Sequence, residues 1–437
     1  MKKALVISYY WPPSGGAGVQ RWLKFVKYLR GFNWEPVLFC PANPEYPETD
    51  NSLFSDVPAN LEVIKLPIWE PYSAYKKLLG QKKEDKISAA FLSEKKKNKT
   101  LEGISVWIRG NLFIPDARKF WIKPAAKYLR NYLETHPADV IISTGPPHTT
   151  HLIAMSVAAS TGIPWLADFR DPWTNIDFYR DLRLSGWADR RHHKLEREVL
   201  QKADAVCVIS NSMAEDFNRI CPRAYNVITN GFDHGDTGNL NQATADTKFS
   251  LAHIGTLAGN RNPVTIWKAL QNLLADYPAL ANDLEIKLVG KVDHTVISSL
   301  NESGLGSFVR KIDYMPHDQV VMCQQQSQVL MLIINNTPNS KMILTGKFFE
   351  YLAARRPILC LGPADGDAAA ILNETQAGLL AGFDDVETMQ KHILQYYNLF
   401  RQGNLVVDSR NIEKYSRKKL TGELAKLLDK LTDKKGV

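Results

Sequence analysis

The chain has 437 residues, 44% of them hydrophobic and 23% charged, with a formal net charge of +8. That length exceeds one ordinary core and predicts two or three domains of a soluble globular protein. A membrane-spanning protein is excluded, because no apolar run approaches the roughly 20 residues that cross a bilayer.

The opening apolar stretch, Ala4 to Ile7, is too short for a signal peptide and reads as a first strand. Five scattered cysteines (Cys40, Cys207, Cys221, Cys323, Cys360) show no paired metal spacing. They point to a reduced, cytoplasmic protein without a structural zinc.

Strand and helix signals alternate along the chain. Ala4 to Ser8 predicts a strand, Trp22 to Arg30 a helix and Pro36 to Cys40 a second strand. A basic insertion follows. From Tyr72 to Arg130 fifteen Lys and Arg face five Asp and Glu, a local net of +10, which leaves the rest of the chain at about −2. The insertion interleaves Lys76, Lys77, Lys82, Lys83 and Lys95-Lys96-Lys97 with Trp107, Phe113, Phe120 and Trp121. Basic residues among aromatics suit an anionic membrane surface, through residues 72–130. A solvated insertion is the plain alternative. Nucleic acid fits least, since the excess is local and no recognition motif accompanies it.

The alternation resumes with Val140 to Ser143 (strand), Thr150 to Ser160 (helix), Trp165 to Asp168 (strand), Gly186 to Ala203 (helix) and Ala205 to Ile209 (strand). His234 to Thr247 is polar and aperiodic, the mark of a linker. A second series runs through Leu251 to Ile254, helix Val264 to Ala275, Glu285 to Val289 and Val329 to Ile334. It continues with helix Leu344 to Ala354, strand Ile358 to Leu361 and a terminal helix near Ser416 to Leu431. Two such series predict an α/β protein of two Rossmann-like, doubly wound parallel-sheet domains facing a cleft. The boundaries read as 1–240, 248–410 and a last segment, 411–437.

The chemistry concentrates where strands give way to helices, the usual ligand position in open α/β sheets. In Thr345-Gly346-Lys347-Phe348-Phe349-Glu350, a cation and a carboxylate three residues apart share one helix face beside free backbone N–H groups. His253-Ile254-Gly255-Thr256-Leu257 leads to Arg261 at a second helix start. Lys347 and Arg261 together suit a diphosphate that becomes a leaving group. Gly362-Pro363-Ala364-Asp365-Gly366 adds a turn with backbone donors.

In the first series, Gly15 and Gly16 allow close approach to an anion. The dinucleotide fingerprint fails there, because Arg21 stands where Gly or Ala is needed and the second strand ends without an acidic residue. A P-loop fails too, with Lys341 at its glycine position. His148, after the strand Val140 to Ser143, suits sugar hydroxyls or proton transfer. Asp168, Arg170 and Asp171 could hold a hydroxylated substrate or anchor a loop by an internal ion pair.

Six stretches in order resemble the GT-B-fold glycosyltransferases and are similar to the retaining family-4 enzymes. They are Pro13 to Gly16, Asp168 to Trp173, Ala203 to Val206 with Ser210, Asn230 to Asp233, Gly255 to Leu257 with Arg261, and Gly346 to Ala353. The resemblance implies a nucleotide-diphosphate sugar in the C-terminal domain and a lipid-linked or polysaccharide acceptor in the N-terminal one. It implies Glu350 on the ribose, Lys347 and Arg261 on the diphosphate, Gly15 and Gly16 near the reacting centre, no metal or other cofactor, and a last helix returning to the N-terminal domain.

Two positions depart from the family. Met342 stands eight residues before Glu350, where a second glutamate is usual, and Thr256 replaces an arginine. An epimerase of the same fold and a catalytically silent nucleotide-sugar-binding subunit are the alternative expectations.

Overall fold

The computed structural model describes residues 1–46, 48–71, 99–235, 244–313, 315 and 317–433. Lys76 to Lys97 of the basic insertion and residues 236–243 of the expected linker lie outside these. Contacts divide the chain into two units, Met1–Thr229 with Arg417–Val437, and Asn230–Ser416.

The first unit is a seven-stranded parallel sheet in the order β3-β2-β1-β4-β5-β6-β7. Its strands are β1 (Lys2–Ile7), β2 (Trp34–Pro41), β3 (Glu62–Leu66), β4 (Val140–Gly145), β5 (Trp165–Phe169), β6 (Ala205–Val208) and β7 (Asn226–Val227). Every residue of β4, β5 and β6 is buried. A parallel sheet covered on both faces needs continuous apolar runs, and these strands supply them. The order reverses between β1 and β4, so the loops after these two strands form this sheet's crevice.

The terminal helix Arg417–Asp433 belongs to this unit. Leu420, Leu424 and Leu428 recur every four residues and join a core with Trp22, Phe25 and Trp34. Its polar edge is tied to the sheet. Lys2 Nζ donates to Thr432 Oγ1 and Asp433 Oδ1, both at 2.8 Å, and Trp34 Nε1 donates to Asp429 at 3.2 Å.

The described roots of the basic insertion are clasped. Buried Glu70 accepts from Tyr9 Oη at 2.9 Å and from the Glu45 N–H at 3.0 Å. It pairs with Arg118 at 3.0 Å, whose guanidinium lies 4.5 Å from the Tyr9 ring. Beside it, Trp69 meets Phe120 edge to face at 4.8 Å.

The second unit is a six-stranded parallel sheet in the order β10-β9-β8-β11-β12-β13. The strands are β8 (Phe249–Ile254), β9 (Leu284–Val289), β10 (Val309–Ile312), β11 (Val329–Ile333), β12 (Ile358–Leu361) and β13 (Gly378–Ala381). Here the reversal falls between β8 and β11.

Asn230 to Asp233 lie in the second unit, ahead of the boundary expected at 240. The cause is Phe232, buried with Phe349 and Tyr415, its N–H donating to the Tyr415 carbonyl at 3.1 Å. Tyr415 likewise keeps residues 412–415 in this unit, so the chain returns at Arg417 rather than 411.

Candidate functional site

In the second unit, β8 ends in a turn at Gly255, whose φ is +110°. Its N–H donates to the Val289 carbonyl at 2.8 Å. A Cβ here would lie 2.9 Å from Lys347 Nζ. Backbone conformation and space therefore both demand glycine. Tyr351 Oη accepts the Ile254 N–H at 3.1 Å and fixes the end of β8 to the helix Gly346–Ala354. Thr256 is exposed beyond the turn.

Thr345 is the N-cap of that helix, one residue inside the expected start at Leu344. Its backbone is extended and its side chain makes no cap; the hydroxyl is buried without a hydrogen-bond partner. The space where a Cβ of Gly346 would sit is open. The helix start thus combines an uncapped first turn with room for a group to approach, which is what an anion requires.

Lys347 is partly accessible, and its Nζ lies 3.2 Å from Nε2 of the buried His253. Burial first, and then the charge of Arg261, push the lysine pKa down to about 8 against the opposing pull of Glu350. His253 is held well below its ordinary value by burial and then by Lys347. A neutral imidazole results. Its Nδ1 faces the Met331 carbonyl at 3.3 Å, and the Thr256 backbone also reaches the ring.

Glu350 follows on the same helix face, with Gln324 Nε2 donating to its Oε2 at 3.2 Å. Arg261 stands in a short 3-10 turn, Gly259–Arg261, just ahead of the helix Val264–Asp276 rather than within it. It is close enough to shift both Lys347 and His253. Gly255, Thr345, Gly346, Lys347 and Glu350 are therefore brought together at this sheet's switch point, with Arg261 within electrostatic range of Lys347.

Asp365 and Gly366 come from the loop after β12. Asp365 is paired on the surface with Lys341, while Gly366 begins the helix Asp367–Thr375. Met342 is buried.

In the first unit, the Gly15 N–H donates to the Glu48 carbonyl at 3.0 Å. Gly16, at φ +81°, starts the helix Ala17–Leu29. Of the two roles open to Asp168, a substrate contact or an internal ion pair, the structure shows the internal one, with Arg21 as partner. Its Oδ1 accepts from Arg21 Nη2 at 2.8 Å, and its Oδ2 accepts from Trp22 Nε1 at 2.7 Å and Thr144 Oγ1 at 3.0 Å. The carboxylate is consumed inside the fold, and Arg21, the residue that breaks the dinucleotide fingerprint, is its counter-ion.

Arg170 is also internal. Its guanidinium donates to the carbonyls of Gly18 and Pro146 and lies over the Tyr10 ring at 5.6 Å. It staples the loop after β1 to the loop after β4. Asp171 beside it is exposed.

His148 lies at the N-cap position of the helix Thr149–Thr161, its ring stacked on Trp173 at 4.3 Å and 2°. Its buried Nδ1 has no hydrogen-bond partner. Burial and then neighbouring His151 hold it well below the ordinary imidazole range, so it is neutral. His151 bonds Ser143 Oγ at 2.8 Å and is pushed down to about 3, chiefly by burial.

Sequence reasoning missed His253, Gln324 and His151 as site neighbours. A polar residue inside an apolar strand was the available signal for His253.

Residues 98–231 match the family model described as a glycosyl transferase 4-like domain. Among solved structures, sucrose-phosphate synthase from Thermosynechococcus elongatus aligns with a TM-score of 0.58 at 13% identity over 99% of each chain. HepE of Anabaena, solved with UDP-glucose, has a TM-score of 0.58 at 12% identity, over 99% of this chain and 100% of that one. The chain resembles the GT-B-fold glycosyltransferases. A UDP-GlcNAc 2-epimerase from Neisseria meningitidis, bound to UDP-GlcNAc, shares the fold as well, with a TM-score of 0.54 at 12% identity over 98% and 100% of the two chains. Among curated proteins no sequence matches significantly.

At these identities the structural likenesses give the GT-B fold alone. Within that fold, the Lys347 cluster lies in the second Rossmann-like unit, and the glycosyl transferase 4-like match lies almost wholly in the first.

Proposed function

We propose that the protein is a glycosyltransferase that moves a sugar from a nucleotide-diphosphate sugar to a lipid-linked or polysaccharide acceptor, with retention at the anomeric carbon. The observation that carries this reading is the meeting of Lys347 and Arg261 at the uncapped start of the Gly346–Ala354 helix, with Glu350 one turn on. Two cations and a helix N-terminus fit a diphosphate, and a carboxylate fits the ribose hydroxyls. When the bond between the anomeric carbon and the phosphate oxygen breaks, the electron pair leaves on the diphosphate. Lys347 and Arg261 stabilise that developing charge, and no metal is required of them. In this reading Gly15, Gly16, His148 and Asp171 serve the acceptor side, and the Gly255–Thr256 and Asp365–Gly366 turns border the donor.

The same proposal places the protein in the cytoplasm, on the inner face of a membrane. Its support is an exposed aromatic and basic patch: Trp69 (59% exposed), Trp107 and Phe120 (both 45%). Lys119 Nζ lies over the rings of Phe113 and Phe120 at 5.5 and 5.1 Å. Aromatic rings beside lysines suit an anionic headgroup layer. Among the described residues no helix is long and apolar enough to cross a membrane.

Thermal shift against a panel of nucleotide sugars tests the donor site, because a ligand that binds only the folded state raises the melting temperature. Indifference to every donor in a well-folded sample would sink the reading. An epimerase is the second reading, favoured by the fold shared with UDP-GlcNAc 2-epimerase. It converts the donor without an acceptor, whereas a transferase releases nucleotide diphosphate in step with a glycosylated product.

A further inference from the structure

We infer that His253 is a positioning residue for the diphosphate grip: a neutral imidazole that accepts one N–H hydrogen bond of the Lys347 ammonium and leaves the other two N–H groups for the phosphates. The inference rests on the donor-site reading given above.

The geometry fixes the roles. His253 sits on β8, two residues before the Gly255 turn, and is 2% exposed. Its Nδ1 is spent on the Met331 carbonyl of the adjacent strand β11, so the ring is held from below. With the ring proton on Nδ1, Nε2 is the acceptor that faces Lys347 Nζ, 3.2 Å away; the Thr256 backbone is the ring's other neighbour and would favour the opposite tautomer if it took a proton from Nε2. The glycine at 255 leaves the space that the ammonium occupies. A lysine has four rotatable bonds and a point charge, so by itself it places its ammonium poorly. Here a strand-mounted acceptor and a side-chain-free turn hold it.

The charged groups around the pair are Arg261 from the turn before the Val264–Asp276 helix and Glu350 from the lysine's own helix. Arg261 disfavours the ammonium and Glu350 favours it. A hydrogen-bond acceptor at Nε2 adds to the favourable side, because it bonds more strongly to the N–H of the ammonium than to that of the neutral amine. A second positive charge on His253 is opposed by burial and by both cations, so the ring stays an acceptor across the working pH range.

The test is calorimetric titration with UDP and with GDP between pH 6.5 and 9 for the wild type, Lys347→Ala, His253→Leu and His253→Gln. His253→Leu is expected to weaken binding about tenfold, the scale of one hydrogen bond to a charged group. It is also expected to move the alkaline loss of affinity about one pH unit toward acid. His253→Gln restores an acceptor and recovers both effects.

A folded His253→Leu variant with wild-type affinity and wild-type pH midpoint overturns the inference, as does a Gln variant as weak as the Leu one. If the Leu variant does not fold, nitrogen NMR of the wild-type histidine decides. An unprotonated Nε2 with a proton on Nδ1 supports the role, and a proton on Nε2 removes it. Binding abolished by Lys347→Ala but untouched by His253→Leu removes only the histidine's part. Failure of UDP and GDP to bind the wild type removes the donor site and this role with it.

Discussion

Arg21 and Asp168 form an ion pair at 2.8 Å in which both side chains are only 1% exposed. It joins the first helix of the first unit to its strand β5. Burial alone would push the Asp168 pKa up. The Arg21 charge, with hydrogen bonds from Arg21, Trp22 and Thr144, outweighs that and holds it below the ordinary carboxylate value. Arg21 also donates to the Thr229 carbonyl at 2.8 Å, so one guanidinium serves the helix, the strand and the end of the unit.

Removing one partner leaves the other charge buried without compensation. Asp168→Ala is expected to cost about 3–5 kcal/mol in urea unfolding of the first unit. Adding Arg21→Met should recover part of that loss, because the two changes are coupled. The folded pKa of Asp168 is depressed, so its stabilisation is present above the unfolded value of about 3.9 and is lost as pH falls through the folded one. Additive losses in the double variant would show that the pair is not coupled.

Lys347→Ala should lower turnover by about 10²–10³, with the circular dichroism spectrum unchanged. Near wild-type turnover in the purified variant would rule out a role in leaving-group stabilisation.

The pH dependence at this lysine has a definite sign. Its folded pKa of about 8 lies below the usual 10.5. The ammonium therefore burdens the empty fold in full below pH 8, and the burden is relieved as pH rises from 8 toward 10.5. Lys347→Met should raise the melting temperature at pH 7, with the gain shrinking by pH 10. Diphosphate affinity should run the other way in the wild type and fall as pH rises through about 8. A melting-temperature difference that does not change with pH would count against the burial of this charge.

Gly255→Ala places a methyl group 2.9 Å from Lys347 Nζ at a φ of +110°. The backbone conformation alone costs about 1–3 kcal/mol. The variant should unfold at lower urea and also bind nucleotide more weakly, since the ammonium must move. Lost stability with unchanged affinity would separate the turn from the ligand.

Changing Trp69 and Phe120 to serine should reduce co-sedimentation with vesicles of phosphatidylserine and phosphatidylcholine several-fold. Raising salt should weaken wild-type binding, because the basic contribution is screened. Unaltered, salt-insensitive sedimentation would remove the membrane proposal.

The fold was legible where strands are buried on both faces. β11 and β12 read as continuous apolar runs, and β4 and β5 open on them at Val140 to Ile142 and Trp165 to Ala167. The edge strands β3 and β10 did not, because only Ile64 of β3 and no residue of β10 is buried. At the site, Lys347, Glu350 and Gly255 were readable because helix spacing and a glycine after a strand are local signals. The role of Asp168 stayed open. Its partners Arg21, Trp22 and Thr144 are remote in sequence, and nothing near Asp168 shows that its oxygens are already taken. His253 escaped for the same reason, since its meaning depends on Met331 and on a lysine on another helix.

The clasp of Tyr9, Glu70 and Arg118 has a further consequence. Glu70 and Arg118 lie far apart in sequence and meet in one ion pair, which holds the two described roots of the insertion together. Such a root behaves as a socket. Residues 99–117 are not free to vary, because Asn111 accepts the Ser185 N–H and Asp116 the Thr149 N–H, so an exchange that spares β1, β2 and β4 is expected to be confined to residues 72–98. Specificity for a surface could then diversify independently of the machinery that handles the sugar donor.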